Sequence, residues 1–369
     1  MKFDIQQRAF VAALATALIA PAAALADTGN VTIYGLLNVD YESAHNDKSA
    51  AINHQRVSSN ASRLGFKGAE DLGDGLKAFY QLETQVDMTG AGGTGTFNGS
   101  RNTAVGLEGS FGTVFMGIWD TPFKVTHNKV ELFDNTTSFS ATDLIGRESL
   151  SGASFVVRQT SVVQYCSPNL KGFQAKLAYK PGGESTPAAA GIHVNKTAVS
   201  LSATYENDLL YAAYGYESHK DNKTTTAGGT YTAVANLTDS ANRVVGAYKF
   251  TDGQVGLTYE RLAAATTVAS TATVSRNAWE LSGKYKMGNS NFSAYYTRAN
   301  DTSGTADSGA TQFALRYGNN LSKHTELWGA YTRLDNDTNG QYAFANNAFG
   351  AATADATLSA LGMGMIHSF

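Results

Sequence analysis

The chain ends in the stretch TLSALGMGMIHSF, residues 357–369, which has the pattern of a β-strand with two different faces. Leu361, Met363 and Met365 occupy every second position, and Phe369 continues the same face. Successive side chains of a strand point to opposite sides of its sheet. A strand that runs to an aromatic last residue predicts a sheet that closes on itself.

The same alternation recurs along the chain in runs of about ten residues, the length that a tilted strand needs to cross a bilayer. Examples are 31–42, 76–86 and 173–180. Short joints alternate with long segments rich in Gly, Ala, Thr and Asn, such as 87–100, 218–241 and 334–355. Short turns at one end and long loops at the other are typical of outer-membrane barrels. The pattern predicts an all-β, sixteen-stranded antiparallel transmembrane barrel with an aqueous lumen.

The amino terminus has the three parts of a secretory signal peptide. Lys2 and Arg8 supply positive charge, residues 10–20 are apolar, and residues 24–26 read Ala-Leu-Ala, a small-x-small cleavage pattern. The apolar run is shorter than the roughly 20 residues of a transmembrane helix. We therefore predict a cleaved signal peptide at 1–26 and a single barrel domain at 27–369.

The composition disfavours several other classes of protein. A single cysteine, Cys166, leaves no internal disulfide framework, and the seven histidines show no spacing typical of a zinc site. No Gly-x-Ser-x-Gly elbow and no nucleotide or metal motif is present. We predict neither catalysis nor a cofactor, a bound metal or a nucleic-acid partner.

Several motifs resemble those of a known family. Residues 62–78 read SRLGFKGAEDLGDGLKA, residues 101–107 read RNTAVGL, and residues 165–173 read YCSPNLKGF. Together with 321–325 and 364–369, these motifs resemble the trimeric general porins of β-proteobacteria, of the Neisseria and Burkholderia type. The resemblance extends over the whole of 27–369.

The resemblance implies a homotrimeric general diffusion porin in the outer membrane of a Gram-negative bacterium. Small hydrophilic solutes and ions would cross its water-filled lumen, into which the third loop would fold. Outer-membrane lipid, lipopolysaccharide and the barrel-assembly machinery are the further partners that it implies. Phe369 would be the assembly signal that this machinery recognises.

Alternation also assigns charged side chains to the lumen. Leu64 and Phe66 belong to the apolar face, which turns Arg63 and Lys67 inward. The same rule assigns Lys77, Glu83 and Arg316 to the lumen. A charge on the lipid face at mid-depth would cost about 2 to 4 kcal/mol, so these assignments have a physical basis.

Two further arginines complete a predicted basic wall. Val163 and Tyr165 share the lipid face, which turns Arg158 inward, whereas Arg101 shares the parity of outward residues and would need a β-bulge. The resemblance implies that Arg63, Arg101 and Arg158 line one side of the narrowest point of the pore.

The longest segment without clean alternation, 119–154, is the predicted third loop. Its acidic residues are Asp120, Glu131, Asp134 and Asp143, with Glu148 further along. Inside a lumen, these acids would face the arginines and create a transverse field. A loop lying on the extracellular surface is the alternative.

The predicted inward basic residues outnumber the acidic ones, which predicts a weak anion preference. Ile118 and Ile366 stand where the family has basic residues, which weakens this expectation. Two alternatives stay open: a channel selective for sugars or organic acids, and a secreted soluble β-sandwich that binds a ligand. A sugar channel needs an aromatic track, for which Tyr34, Phe79 and Tyr295 are the scattered candidates.

Overall fold

The computed structural model describes residues 31–48, 54–90, 95–133, 138–183, 196–221, 224–227, 230–233, 237–267, 270–345 and 353–369. Residues 31–369 form one compact unit. The predicted signal peptide at 1–26 and Asp134 lie outside the described residues. In the described part of the chain, no helix is long and apolar enough to cross a membrane.

The described strands form a closed antiparallel barrel of sixteen strands, which confirms the predicted fold. In chain order they are β1 (Thr32–Asn46), β2 (His54–Ser59 and Arg63–Gly73), β3 (Leu76–Val86), β4 (Phe97–Ser100 and Thr103–Gly109), β5 (Gly112–Asp120), β6 (Arg158–Cys166), β7 (Phe173–Lys180), β8 (Thr197–Glu206), β9 (Leu210–Lys220), β10 (Thr238–Phe250), β11 (Gly253–Thr267), β12 (Ser270–Met287), β13 (Ser290–Ala299), β14 (Ala310–Asn320), β15 (Thr325–Asn336) and β16 (Thr357–Ser368). Each strand pairs with its neighbours in the chain, and β1 pairs with β16 to close the barrel.

The two faces of the barrel wall differ in polarity as the alternation predicts. Leu82 is 53% exposed and Met363 is 63% exposed, although both lie within strands. On β10, Val244 and Tyr248 are exposed. Arg243, which directly precedes Val244, faces the other way and is buried. Exposed apolar and buried charged side chains reverse the arrangement of a soluble protein. The closed barrel and its apolar outer face exclude the soluble β-sandwich alternative.

The carboxyl terminus extends the closing seam beyond β16. The Gly35 N–H donates to the Phe369 carbonyl at 3.0 Å, and the Phe369 N–H donates to the Gly35 carbonyl at 3.2 Å. The Phe369 ring lies over Gly35, where an added Cβ would be 2.3 Å from the ring. Position 35 therefore needs glycine for the terminal aromatic ring to cover the seam. The role of Phe369 as an assembly signal stays a prediction.

The third-loop segment, residues 121–157, connects β5 to β6. It contains a short helix α1 (Pro122–Thr126), a 3₁₀ turn (Ala141–Asp143) and two short paired strands (Arg147–Glu148 and Ala153–Ser154). The Thr121 hydroxyl caps α1 by accepting the Lys124 N–H at 3.2 Å, and Pro122 suits the first turn of a helix.

Apolar side chains of the third-loop segment pack against the polar face of the wall and against the segment between β15 and β16. This cluster includes Phe133, Phe139, Leu144, Ile145, Tyr295, Trp328, Tyr342 and Phe344, all at most 4% exposed. The Phe133 and Tyr295 rings meet edge to face with centroids 5.1 Å apart. The segment is thus held by a core of its own on one side of the barrel wall.

Candidate functional site

A group of charged side chains gathers on the polar face of β2 to β6 and at α1. We call it the basic cluster; it consists of Arg63, Lys67, Arg101, Lys124 and Arg158, together with Glu83 and Asp120. Five cations and two carboxylates give it a formal charge of +3. The cluster includes the three arginines predicted to form the basic wall.

Arg101 reaches the cluster because β4 is interrupted. Its Nε donates to Glu83 Oε1 at 2.6 Å, and Glu83 Oε2 accepts the Tyr34 hydroxyl at 3.0 Å. Thr84 pairs with Ser100, and Gln81 pairs with Ala104. Between these two pairs the β4 side has one more residue than β3, which is a β-bulge. The bulge that the sequence required is therefore present, and Arg101 points to the polar face.

Arg63 and Lys67 lie on β2, two residues before and two residues after the glycine that pairs in register with Tyr34. The Lys67 Nζ is 5.2 Å from the centroid of the Tyr34 ring, which is within the range of a cation–π contact. Arg63 begins the second part of β2 and acts electrostatically on the Tyr34 hydroxyl, as Arg101 does. Tyr34 can lie flat because residue 65 is glycine: a Cβ there would be 2.2 Å from the Tyr34 ring.

Arg158 joins the cluster by a route that the alternation did not predict. A bulge between Gln159 and Val162 adds a residue to β6, so the parity counted from Val163 does not hold at Arg158. Its Nε nevertheless donates to Asn102 Oδ1 at 2.7 Å, and its Nη2 lies 3.3 Å from Asp120 Oδ1.

Asp120 differs from its predicted place. It ends β5 instead of lying in the loop, and its Oδ1 is 2.7 Å from the Lys124 Nζ. Asp120 thus pairs with the basic residues Arg158 and Lys124 and does not face them from across a pore. Lys124 had no predicted role in the site, although Thr121 followed by Pro122 is a typical start of a helix and could have placed Lys124 one turn after Asp120.

Two further predicted acids lie against the wall, away from the basic cluster: Asp143 is buried and Glu131 is partly buried. Glu131 accepts the Phe133 N–H and the Ser140 hydroxyl, each at 3.0 Å. Asp143 accepts the Ala345 N–H at 2.8 Å and the Gln312 Nε2 at 3.1 Å. Burial raises the pKa of each carboxyl to about 7, and His127 opposes this effect at Glu131. The structure does not bring these acids together with the arginines.

A buried ion network, which the sequence did not single out as a unit, holds the third-loop segment. Arg243 donates to Glu260 Oε2 through Nε at 3.1 Å and Nη2 at 2.8 Å, and Arg276 Nη1 lies 2.9 Å from Glu260 Oε1. Glu260 also accepts the Gly146 N–H at 2.7 Å. Arg276 donates to the Leu144 and Arg147 carbonyls.

These network residues lie on β10, β11 and β12, and at most 2% of each side chain is exposed. The alternation along their strands also turns Arg243, Glu260 and Glu280 inward, and Glu280 contacts His127. It gave no sign that these side chains lie beneath the loop. Only contact with the third-loop segment distinguishes an anchor from a solvated lumen charge.

The two remaining predicted lumen residues lie apart from the basic cluster or at its edge. Lys77 is exposed on β3 beside the turn to β2. Arg316 is on β14, where its Nη1 lies 3.0 Å from Glu326 Oε1 and donates to Asn291 Oδ1 at 3.1 Å.

The raised pKa values predict how stability depends on pH. The folded state keeps the Asp143 proton up to about pH 7, whereas an unfolded chain loses it near the usual value of 3.8. The stabilising contribution is therefore complete below about pH 4 and is lost as the pH rises to 7. We expect detergent-solubilised protein to unfold at a higher temperature at pH 5 than at pH 8.

One pKa unit corresponds to about 1.4 kcal/mol, so the expected loss is on the order of 1 kcal/mol or more. Asp143→Asn keeps a neutral group at that position and should reduce the difference between the two pH values. Glu131→Gln should act in the same direction. A pH difference that is the same in both variants and in the unaltered protein would contradict the prediction.

Comparison with known proteins agrees with this architecture. A sequence model of the family described as Gram-negative porin matches residues 11–339. Major outer membrane protein P.IB of Neisseria gonorrhoeae is 31% identical over 204 residues, which are 54% of this chain and 54% of that protein. The chain thus spans about half the length of this relative. Outer membrane porin protein 32 of Delftia acidovorans is 26% identical over 334 residues, 88% of this chain and 89% of that protein.

Among solved structures, the anion-selective porin from Comamonas acidovorans superposes with a TM-score of 0.77 over 92% of this chain and 100% of that one. At 24% identity this similarity shows a shared fold. The match to the family model covers most of the chain, including the motifs at 62–78 and 165–173. The chain therefore belongs to the Gram-negative porin family, and its barrel lies in the outer membrane.

Proposed function

We propose that the protein is a general diffusion channel for small hydrophilic solutes and ions, with a weak preference for anions. The basic cluster carries this proposal, because its charge of +3 lies on the polar face while Glu131 and Asp143 lie elsewhere. Charged side chains at a constriction set ion selectivity. The anion-selective porin from Comamonas acidovorans, which has the same fold, supports this reading.

The proposal includes a third loop that folds into the lumen and narrows it. The barrel-wall residues that hold the third-loop segment, such as Glu260, Arg276 and Gln312, lie on the polar face. In a closed barrel the face opposite the lipid-exposed one is the lumen. Loop contacts on that face support an inward path over a loop lying on the extracellular surface. The acidic side of the transverse field that the sequence suggested is not part of the proposal.

A sugar-selective channel is the weaker candidate. Tyr295, one of the three aromatic residues with inward parity, is only 4% exposed because Phe133 covers it. Phe79 packs edge to face with Phe115, at 6.2 Å between ring centroids. The described residues therefore give these aromatics no continuous track. Family and fold favour a channel over an enzyme, and the proposal includes no catalysis.

The partners in the proposal follow from the resemblance. They are two further copies of the chain in a homotrimer, outer-membrane lipid and lipopolysaccharide, and the assembly machinery that would recognise Phe369. The exposed apolar outer face supports contact with lipid.

Two measurements test the channel itself. Proteoliposomes should swell in small sugars without an energy source, because diffusion through an aqueous pore is passive. In planar bilayers with a KCl gradient, the zero-current potential should have the sign of a chloride preference. That preference should fade near 1 M salt, where the Debye length is about 3 Å. Folded protein that neither swells liposomes nor conducts would refute the proposal, and a cation preference would refute its selectivity.

A further inference from the structure

A row of basic side chains crosses the polar face of five adjacent strands. Lys249 on β10 pairs in register with Gln254 on β11, and Gln254 pairs with Lys284 on β12. Lys284 then pairs with Ser293 on β13, and Ser293 pairs with Arg316 on β14. Neighbouring strands lie about 4.8 Å apart, so this row presents a cation about every 10 Å with a hydrogen-bonding side chain between.

This row lines a cavity of about 770 Å³. Lys286 on β12 and Lys129 in the third-loop segment also line it. Lys129 Nζ and Lys249 Nζ lie 2.9 Å and 2.6 Å from the same atom, Glu206 Oε1. The two ammonium groups are therefore no more than about 5.5 Å apart. Lys284 interacts electrostatically with both. Three ammonium groups thus converge on one part of the cavity.

The lining has as many carboxylates as cations, five of each with Glu131 included, but the carboxylates leave two of the lysine ammonium groups without an ion-pair partner among the described residues. Glu206 is shared by two lysines, and Glu326 pairs with Arg316. Asp208 and Asp252 lie in the turns at the rim. The Lys284 and Lys286 side chains are exposed, and neither ammonium group makes a hydrogen bond or an ion pair with the described residues.

The cavity is separate from the basic cluster. Its central strand, β12, is eight strands from β4 in a closed barrel of sixteen, so the two regions lie on opposite walls. Lys249 and Lys284 lie beside the short turns at 251–252 and 288–289. Arg158 instead begins β6 at the end away from the short turns, and Arg63 begins the second part of β2, away from the short turn at 74–75.

We propose that this cavity binds small anions that carry two or more negative charges on phosphate or carboxylate groups. Lysine binds such groups as a point charge, and several converging lysines favour a ligand with more than one anionic group. A singly charged anion would satisfy only one of them. The site rests on the proposed function, because solutes would reach it through the lumen near its short-turn mouth.

The test uses the intact protein in planar bilayers at 0.1 M KCl, with tripolyphosphate as the probe. Tripolyphosphate should block the chloride current, whereas acetate at the same concentration should not. In Lys284→Gln with Lys286→Gln, the half-blocking concentration should rise about tenfold, the change that a lost charged contact of ordinary strength produces. Lys284→Arg with Lys286→Arg keeps both charges and should retain the block.

The matched control removes two lysines from the short-turn end of β7, outside the cavity, as Lys171→Gln with Lys176→Gln. An equal loss of block in that control would overturn the site and assign the effect to general lumen charge. An unchanged half-blocking concentration in the Lys284 and Lys286 variant would also overturn it. If the protein does not conduct, the channel proposal fails by itself. Calorimetric titration of tripolyphosphate into detergent-solubilised protein then decides the site, since only the unaltered protein and the arginine variant should bind.

Discussion

Replacing Arg276 with alanine should loosen the third-loop segment and destabilise the folded barrel by about 3 kcal/mol. The Arg276 guanidinium is fully buried, lies 2.9 Å from Glu260, and donates to the carbonyls of Leu144 and Arg147. Alanine would remove these contacts and leave the two carbonyls without this donor. A buried acceptor without a donor costs more than an exposed one, because water cannot replace the lost bond.

The same substitution should raise the single-channel conductance and its noise, because the loop would lose a fixed position over β12. Thermal unfolding in detergent measures the stability, and planar-bilayer recording measures the conductance. Arg261→Ala is the matched control. Arg261 is the neighbour of Leu262, which pairs in register with Arg276, but it is exposed and its guanidinium donates to the Asn277 and Ser275 side chains. We expect little change in that variant. Lost stability with an unchanged conductance would mean that the loop does not limit the current.

Replacing Arg63 and Arg158 together with alanine should shift the zero-current potential towards cations. The formal charge of the basic cluster would fall from +3 to +1. Asp120 would keep Lys124 at 2.7 Å and Asn102 at 3.1 Å, so no carboxylate is left without a partner. The shift should be largest at low salt, since the Debye length is about 10 Å at 0.1 M and about 3 Å at 1 M.

Lys171→Gln with Lys176→Gln removes the same charge outside the cluster and should leave the potential nearly unchanged. If both double variants shift the potential equally, selectivity follows the total charge of the lumen. An unchanged potential in the arginine variant would mean that Arg63 and Arg158 do not line the constriction.

Family resemblance and alternation agree on the barrel for different reasons. Alternation is a local signal, which can be recognised within one strand. It predicts that apolar residues such as Met363 and Leu82 lie on the outer, lipid-facing side of the barrel, where they are exposed. The motif at 62–78 adds the identity of the family, which a period of two cannot give. The barrel fold and the family can both be inferred without knowing how the loops fold.

The basic cluster shows where residue counting reaches its limit. Arg101 needed a bulge to point inward, and the interruption of β4 supplies it. Arg158 lies in the basic cluster although its own bulge reverses the parity from which its direction was predicted. A bulge changes which face a residue occupies, and its position depends on pairing with the neighbouring strand. No count along one strand can locate it.

The sequence by itself indicated a closed barrel of about sixteen strands, and it determined which face of each strand meets lipid, because a two-residue period records which side each residue faces. Only the tertiary structure decided which inward charges meet water. Arg243, Glu260 and Arg276 have the same alternation as Lys284, yet the first three are buried under the third-loop segment and Lys284 is exposed. The difference arises from where a long, non-periodic segment packs, and that packing depends on contacts among residues far apart in the chain.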